Sequence, residues 1–367
     1  MSDGICRWGI LSTAEIAQKN WAAMANARNA SLVAVASRDV AKANSFIDLC
    51  QGSTPVPDRP TAYGSYDEMI QADSVDAVYV PLPTGLRKDW VIKVAEAGKH
   101  VLCEKPCAVN SEQLQEMVTA CQQNGVQFMD GIMFMHSQRL AAMKGLLADG
   151  QVLGDIRRIS GSFSFNGPEE FQAGNIRTSS HLEPQGCLGD LGWYQLRFAL
   201  WAMDYQMPES ISCRMLSDFH RADSPHPVPM ECSLDMFFAN GVSVNFYSSF
   251  ITEHQQVCTV AGTKGFLRID DFVLPFYGNR LNFEVFQSNF VVDGCDFSME
   301  RHTDQHATAE YSNNKPGAQE SLLFECFSDL VLQNKTDPFW PDASLKTQRL
   351  LDLAMESALG GGKVLTV

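Results

Sequence analysis

Apolar, β-branched runs alternate with helix-spaced stretches through the first 150 residues, and this alternation restricts the fold more than any other feature of the chain. The runs "CRWGIL", "SLVAVAS", "DAVYVPL", "HVLCE" and "VQFMD" read as strands. Residues 14–27, 39–50, 65–72, 84–98 and 110–124 carry helical spacing, and the last two stop near Gly98 and Gly125. The proline-rich segment "GSTPVPDRPTAYGS" reads as a loop. Strand then helix, repeated, predicts a parallel sheet with crossover helices. Such a sheet binds ligands at the carboxyl ends of its strands. Ser12, Ser37, Pro81, Lys105 and Asp130 would then share one rim.

Beyond about residue 150 the texture changes. "RRISGSFSF", "ISCRMLSDF", "SLDMFFANGVSVNFYSSF", "QVCTVAGTKGFLRIDDF" and "LNFEVFQ" follow one another across short turns, as antiparallel strands do. Asn240-Gly241 suits a type I′ hairpin turn. A helix at about 188–202 interrupts the strands, and helices at about 318–333 and 343–359 close the chain. Residues 294–317 read as a long polar loop. His302 and His306 lie in it without an acidic partner at a fixed spacing, so no metal site is expected.

The 367 residues suit two domains. Hydrophobic residues make up 45% and charged residues 19%, enough apolar side chain to fill two cores. A formal charge of -15 argues against nucleic acid and anionic membrane, since both would be repelled. No apolar run reaches the roughly 18 residues of a membrane span. The start "MSDGICRWGIL" lacks a basic leader segment, so no signal peptide is expected. Eleven scattered cysteines, without a Cys-x-x-Cys pair, read as reduced thiols of a cytoplasmic protein.

Four short stretches could carry chemistry. In "GILSTAEIA", Gly9 and Ala14 take the outer places of a G-x-G-x-x-G/A dinucleotide loop, with Leu11 in the middle place. Ser12 and Thr13 would add hydroxyl donors where a helix N-terminus can meet a pyrophosphate; a plain strand-to-helix turn is the alternative. Ser37-Arg38-Asp39 follows the second strand. Arg38 with Ser37 would suit the 2′-phosphate of NADP, while Asp39 caps the next helix. Lys105 ends the strand "HVLCE" and Pro106 stops it continuing. The lysine either polarises a substrate oxygen or pairs on the surface with Glu104. In "GCLGDLGWYQLRFALW", Asp190 and Tyr194 stand four apart on one helix face, as a proton-relay pair or as a structural one. His136, Gln138 and Arg139 follow the last strand of the first half and face the cleft by the rim argument.

With these elements in this order, the chain resembles the glucose–fructose oxidoreductase / inositol dehydrogenase (Gfo/Idh/MocA) family. "AGKHVLCEKP", "YVPLPTGLRKDW", "GSYDEMI" and "GCLGDLGWY" carry the resemblance, which spans essentially the whole length. Within the family it is similar to the branch of trans-1,2-dihydrobenzene-1,2-diol dehydrogenases and NADP-dependent D-xylose dehydrogenases, which also has a serine-bearing first turn. The resemblance implies an α/β protein. An NAD(P)-binding Rossmann domain would span 1–135. A substrate-binding domain with an open, mainly antiparallel sheet would span 136–367, its last helix packing back on the first domain and its sheet face forming a homodimer or higher homo-oligomer. It implies NADP(H), with NAD(H) as the alternative, and a small sugar or cyclic diol as substrate. Lys105, Asp190 and Tyr194 take the catalytic places. Gly9, Ser12, Thr13, Ala14, Ser37, Arg38, Pro81, Leu82, Thr84, Glu104 and Lys105 take cofactor places. Arg177, in "GNIRTSS", matches an arginine recurrent in this branch and joins Asp190, Tyr194 and His136 around substrate. Arg87 stands where many relatives have histidine. The expected activity is an aldose or dihydrodiol dehydrogenase, with a keto-sugar reductase or a non-catalytic nucleotide sensor as alternatives.

Overall fold

β1 (Cys6–Leu11) is buried at nearly every position, as a strand inside a two-faced parallel sheet must be. The computed structural model describes residues 4–367. β2 (Ala30–Ala36), β3 (Thr61–Tyr63), β4 (Ala77–Val80), β5 (His100–Cys103) and β6 (Phe128–Asp130) complete a six-stranded sheet. Its order is β3-β2-β1-β4-β5-β6, and every pair is parallel. The helices between strands are α1 (Glu15–Asn26), α2 (Val40–Ser53), α3 (Tyr66–Ile70), α4 (Thr84–Glu96) and α5 (Ser111–Gln123). The chain direction of strand addition reverses between β1 and β4, the place where doubly wound sheets open a crevice. β3 lies within the stretch read as a loop; three edge residues after three prolines leave no strand pattern.

The second half forms a nine-stranded sheet, order β14-β13-β12-β11-β7-β10-β9-β8-β15. Its strands are β7 (Ile156–Asn166), β8 (Ser210–Phe219), β9 (Val228–Phe237), β10 (Ser243–Ser249), β11 (Ile251–Gly262), β12 (Phe266–Ile269), β13 (Leu281–Asp293), β14 (Asp296–Thr308) and β15 (Leu365–Thr366). Only β7 and β10 pair in parallel. α6 (Gln138–Asp149), α7 (Glu169–Gly174) and α8 (Trp193–Ala202) precede its main run of strands, and α9 (Gln319–Leu332) and α10 (Phe339–Leu359) follow it. Inward residues such as Ile159, Phe163, Phe246, Cys258 and Val260 are buried, and outward residues such as Ser160, Ser162, Asn245, Tyr247 and Thr259 are half-buried.

Two expectations change. The polar loop at 294–317 is instead largely strand β14, paired with β13 without a break from Leu281↔Thr308 to Asp293↔Asp296. Its residues are exposed on both faces, so no alternation of polarity marked it. At Asn240-Gly241 the hairpin forms, but only Gly241 takes a positive φ, 81°. Gly241 N–H bonds Phe238 O, giving a type I turn with a left-handed glycine rather than type I′.

The two halves are not separate cores. α9 lies beside α1 against β1 and β2. Trp8 of β1 packs on Phe324 and Phe327, with centroids 5.0 and 5.1 Å away, and its indole donates to Ser328. α10 runs beside α5, β6 and α8.

Candidate functional site

The first turn begins where β1 ends. Ser12 adopts φ 135°, a region costly for any residue with a Cβ, and its Oγ accepts from Ala14 N–H at 3.1 Å. α1 starts at Glu15 without a side-chain cap, and among the described residues the N–H groups of Glu15 and Ile16 find no acceptor. Ser12, Ala14 and buried Ala17 therefore stand at the spacing of the G-x-G-x-x-G/A pattern. Gly9 does not join them. It sits inside β1, and a Cβ there would meet Met69 and Val75 at 3.2 Å, so its smallness serves strand-to-helix packing. Ser37 and Arg38 follow β2 on the same rim; Ser37 is buried, and exposed Arg38 makes no ion pair among the described residues. Asp39 caps α2 by accepting from Ala41 N–H.

The rim then rises past Pro81 and Leu82 to β5. Lys105 Nζ donates to both the backbone oxygen and Oδ1 of Asp190, each at 2.8 Å. The ammonium stands 4.4 Å from the centre of the Tyr194 ring. Asp190 Oδ2 accepts from Arg177 Nε at 2.7 Å. Burial would raise the Asp190 carboxyl, but Arg177 and Lys105 outweigh it and hold the group well below the usual carboxylate range. Burial first, then the charges of Glu104 and Asp190, push the Tyr194 phenol well above its ordinary value. Its hydroxyl lies 3.6 Å from Met133 Sδ. The residues 85 apart in sequence thus meet over one ring, and Lys105 chooses Asp190 over Glu104 as its carboxylate.

Several further buried groups hold this cluster. Leu188–Gly192 winds as a π-turn that continues into α8 and presents Asp190 one turn before Tyr194. Asp130, expected on the ligand rim, is instead fully buried: it accepts from Arg197 Nη2 at 2.9 Å and Trp193 Nε1 at 3.0 Å, pinning α8 to β6. Glu104 accepts from Tyr79 OH at 2.5 Å and Asn20 Nδ2 at 3.3 Å, and also from Lys105 N–H. Arg87 is buried and donates to the carbonyls of Leu82, Glu104 and Pro106, which fixes the backbone around Lys105. Thr84, expected to meet a cofactor, lies beneath the second half: Glu183 accepts from its N–H at 3.0 Å and from its hydroxyl at 2.6 Å. Burial raises the Glu183 carboxyl above its ordinary range, against the pull of Arg87 and the Thr84 donors.

His136 does not reach the cluster. Its ring stacks on Trp340 at 4.7 Å and lines a separate cleft of about 530 Å³ with Arg28, Lys144, Trp201 and Glu325. The strand β6 ends at Asp130, and the short helical turn Met133–His136 carries the histidine away from the rim.

The turn at Ser12–Ala14, the uncapped start of α1 and the free cation of Arg38 fit a phosphorylated dinucleotide: unpartnered N–H groups for the pyrophosphate and a guanidinium for a ribose phosphate. Known proteins agree with this architecture. The model of the oxidoreductase family with an NAD-binding Rossmann fold, GFO_IDH_MocA, matches residues 6–132, and that of the GFO/IDH/MocA C-terminal domain matches 140–268. The chain is 35% identical over 192 residues to D-xylose 1-dehydrogenase (NADP(+)) 2 of Haloferax volcanii, covering 52% of this chain and 55% of that protein, so the match spans about half the relative's length. It is 30% identical over 267 residues to trans-1,2-dihydrobenzene-1,2-diol dehydrogenase of Bos taurus, covering 72% and 74%. In fold it is similar to the 3-ketoreductase KijD10 of Actinomadura kijaniata, solved with NADP and TDP-benzene (TM-score 0.79, 22% identity, 96% and 98% covered). It is likewise similar to the aldose-aldose oxidoreductase of Caulobacter crescentus (TM-score 0.78, 21% identity, 99% and 100% covered). With both halves matched in order and a relative of 30% identity aligned over 72% of this chain and 74% of its own length, the chain belongs to the GFO/IDH/MocA oxidoreductase family.

Proposed function

We propose that the chain is an NADP(H)-dependent oxidoreductase acting on a hydroxyl or carbonyl of a sugar or cyclic diol. Oxidation of an aldose of the D-xylose type is the preferred substrate class and a trans-dihydrodiol the next. It would work in the cytoplasm as a homo-oligomer; no described helix is long and apolar enough to cross a membrane.

The observation that carries the reading is the meeting of Lys105, Asp190 and Arg177 beside the Tyr194 ring on the ligand rim. An ammonium has three donors. Asp190 takes two of Lys105's, on its backbone and carboxylate oxygens, and the third remains for a substrate oxygen. Asp190, shared between two cations, fixes where that third donor points. Tyr194 keeps its phenolic proton in this environment and would donate to, or accept from, the same oxygen. Arg177, partly open on its outer side, would bind a neighbouring hydroxyl. The bound nicotinamide supplies or accepts the hydride.

Lys105→Ala and Tyr194→Phe are each expected to lower turnover by at least about 100-fold, the scale of lost acid–base help, and NADPH fluorescence titration of Tyr194→Phe should stay unchanged. Full turnover by Lys105→Ala would sink the proposal. A wild-type chain that binds NADPH and turns over no aldose or dihydrodiol of a panel would favour a nucleotide sensor. Arg38→Ala should weaken NADPH at least about 10-fold and NADH little, the loss of one charge-assisted phosphate contact. Equal weakening of both would take Arg38 out of the cofactor site.

A further inference from the structure

Residues 220–227, "HRADSPHP", join β8 to β9. Pro225 and Pro227 fix φ at two places, so the loop is stiff for its length. Ser224 N–H donates to Arg221 O at 3.1 Å and closes a tight turn, with His220 Nε2 2.9 Å from Ser224 O. The loop rests on the segment that carries Arg177. Ser224 Oγ accepts from Ser180 N–H at 2.7 Å, and Ser180 Oγ accepts from His226 N–H at 3.2 Å. Ser224 and Thr178 are buried in this contact.

Arg221 is the cation of the loop, and its bonds are almost all internal. Nε and Nη2 donate to the two carboxylate oxygens of Asp223 at 2.8 and 2.6 Å. Nη1 donates to Asn175 O at 2.9 Å and to Thr178 Oγ1 at 3.3 Å. Four of the five N–H groups of the guanidinium are thus engaged within the protein, and the side chain is 15% exposed. The two acceptors on the far side bracket Arg177. Asn175 caps the short turn Ile176–Thr178: its Oδ1 accepts from Arg177 N–H at 3.1 Å and lies 3.5 Å from Arg177 Nη1. Upstream, α7 has no fully buried residue and gives the turn no anchor. Downstream, Leu182 and Glu183 fasten the segment to the first half. Arg221 is therefore the hold that the second half keeps on the turn.

We infer that Arg221 is a positioning residue for substrate: by clasping Asn175 and Thr178 it sets the direction of Arg177 Nη2, and so favours substrates with a hydroxyl on the carbon next to the reacting one. Arg177 Nε is taken by Asp190 Oδ2, and among the described residues Nη2 has no acceptor. Its side chain is 39% exposed, which leaves that nitrogen open to a ligand. Lys105 and Arg177 hold the two oxygens of one carboxylate, so their unused donors stand side by side and suit adjacent oxygens of one substrate. One bond at Nε would let the guanidinium pivot. The second contact, at Asn175 Oδ1, removes that freedom before substrate arrives, and Arg221 is what holds Asn175 in place. The inference deepens the dehydrogenase reading and rests on it.

Kinetics of the full chain on D-xylose and on its 2-deoxy analogue test it. In wild type, kcat/KM should favour D-xylose by at least about 10-fold, the contribution of a hydrogen bond from a charged donor. Arg221→Ala should shrink that ratio at least about 5-fold through the KM of D-xylose, with kcat held within about 2-fold and NADPH titration unchanged. Arg268→Ala removes a comparable pair, with Asp270, outside this loop and should leave the ratio as it is. A ratio that survives Arg221→Ala, whatever the melting temperature does, overturns the inference, as does a wild type indifferent to the 2-hydroxyl. Hydrogen exchange gives a readout that needs no turnover. Amides of residues 177–180 should exchange at least about 10-fold faster in Arg221→Ala and not in Arg268→Ala, as local opening of a released segment predicts. Unchanged exchange there overturns the clasp. A wild type that turns over neither sugar sinks the dehydrogenase reading and the substrate preference with it, and exchange then still decides whether Arg221 holds Arg177.

Discussion

Lys105 was visible in the sequence because the strand before it ends in Cys103-Glu104-Lys105-Pro106, and proline cannot continue a ladder. That Asp190 pairs with it was not, because no local spacing relates residue 105 to residue 190, and the resemblance alone put the two in one site. Nor could spacing tell Asp130, a buried anchor for Arg197, from a rim carboxylate. The same limit applies to His136, which a strand-end argument places at the rim and which the turn after β6 carries away. Its ring is half-buried, its Nε2 is sealed without a partner, and burial, helped by Arg197, lowers it to about 3. A histidine that resists protonation when folded destabilises the fold wherever the unfolded chain takes up a proton and the native one does not. Stability should thus rise with pH between about 3 and 6.5, with a slope of up to ~1.4 kcal/mol per pH unit from this group. His136→Phe should remove that part of the slope in urea titrations from pH 4 to 7; an unchanged slope would show that the ring protonates in place.

Elements marked by an apolar run or by periodic polarity were legible, and those with neither were missed. β14, wet on both faces, and β3, three residues long, gave no periodic signal. The segment from Ser179 to Gln185 gave none either, yet it fastens the second half to the start of α4. Gly85 N–H donates to Leu182 O at 2.9 Å, and Glu183 occupies the Thr84 donors. A Cβ on Gly85 would lie 2.1 Å from His181 O, so the contact exists only because that residue is glycine. Gly85→Ala should force this strap off α4 at a cost of about 1–3 kcal/mol, the range of overpacked sites. Arg177 sits at the upstream end of the same strap, so KM for substrate should rise more than kcat falls. A variant with wild-type melting temperature and kinetics would show the strap to be slack.

At the scale of the molecule, the change of texture near residue 150 located two sheets, but it concealed that the first cannot be completed from its own residues. Trp8 is fully buried, and Phe324 and Phe327 of α9 are what bury it. Lys19 with Glu320, and Arg28 with Glu325, tie the same helix to the first half by ion pairs. Residues 1–135 expressed alone should therefore fail to give a cooperative melt. In the full chain, Phe327→Ala should cost about 3–5 kcal/mol, as for other aromatic truncations in a core. A sharp transition from the 1–135 fragment would refute this.

That dependence has a consequence for synthesis. When the ribosome has released the first six strands, the helix that covers Trp8 is still about two hundred codons away, and the nascent sheet waits with an apolar face uncovered. The chain must be held soluble until its last fifty residues emerge, so a premature stop or a C-terminal nick removes the nucleotide-binding half as surely as the half that is lost.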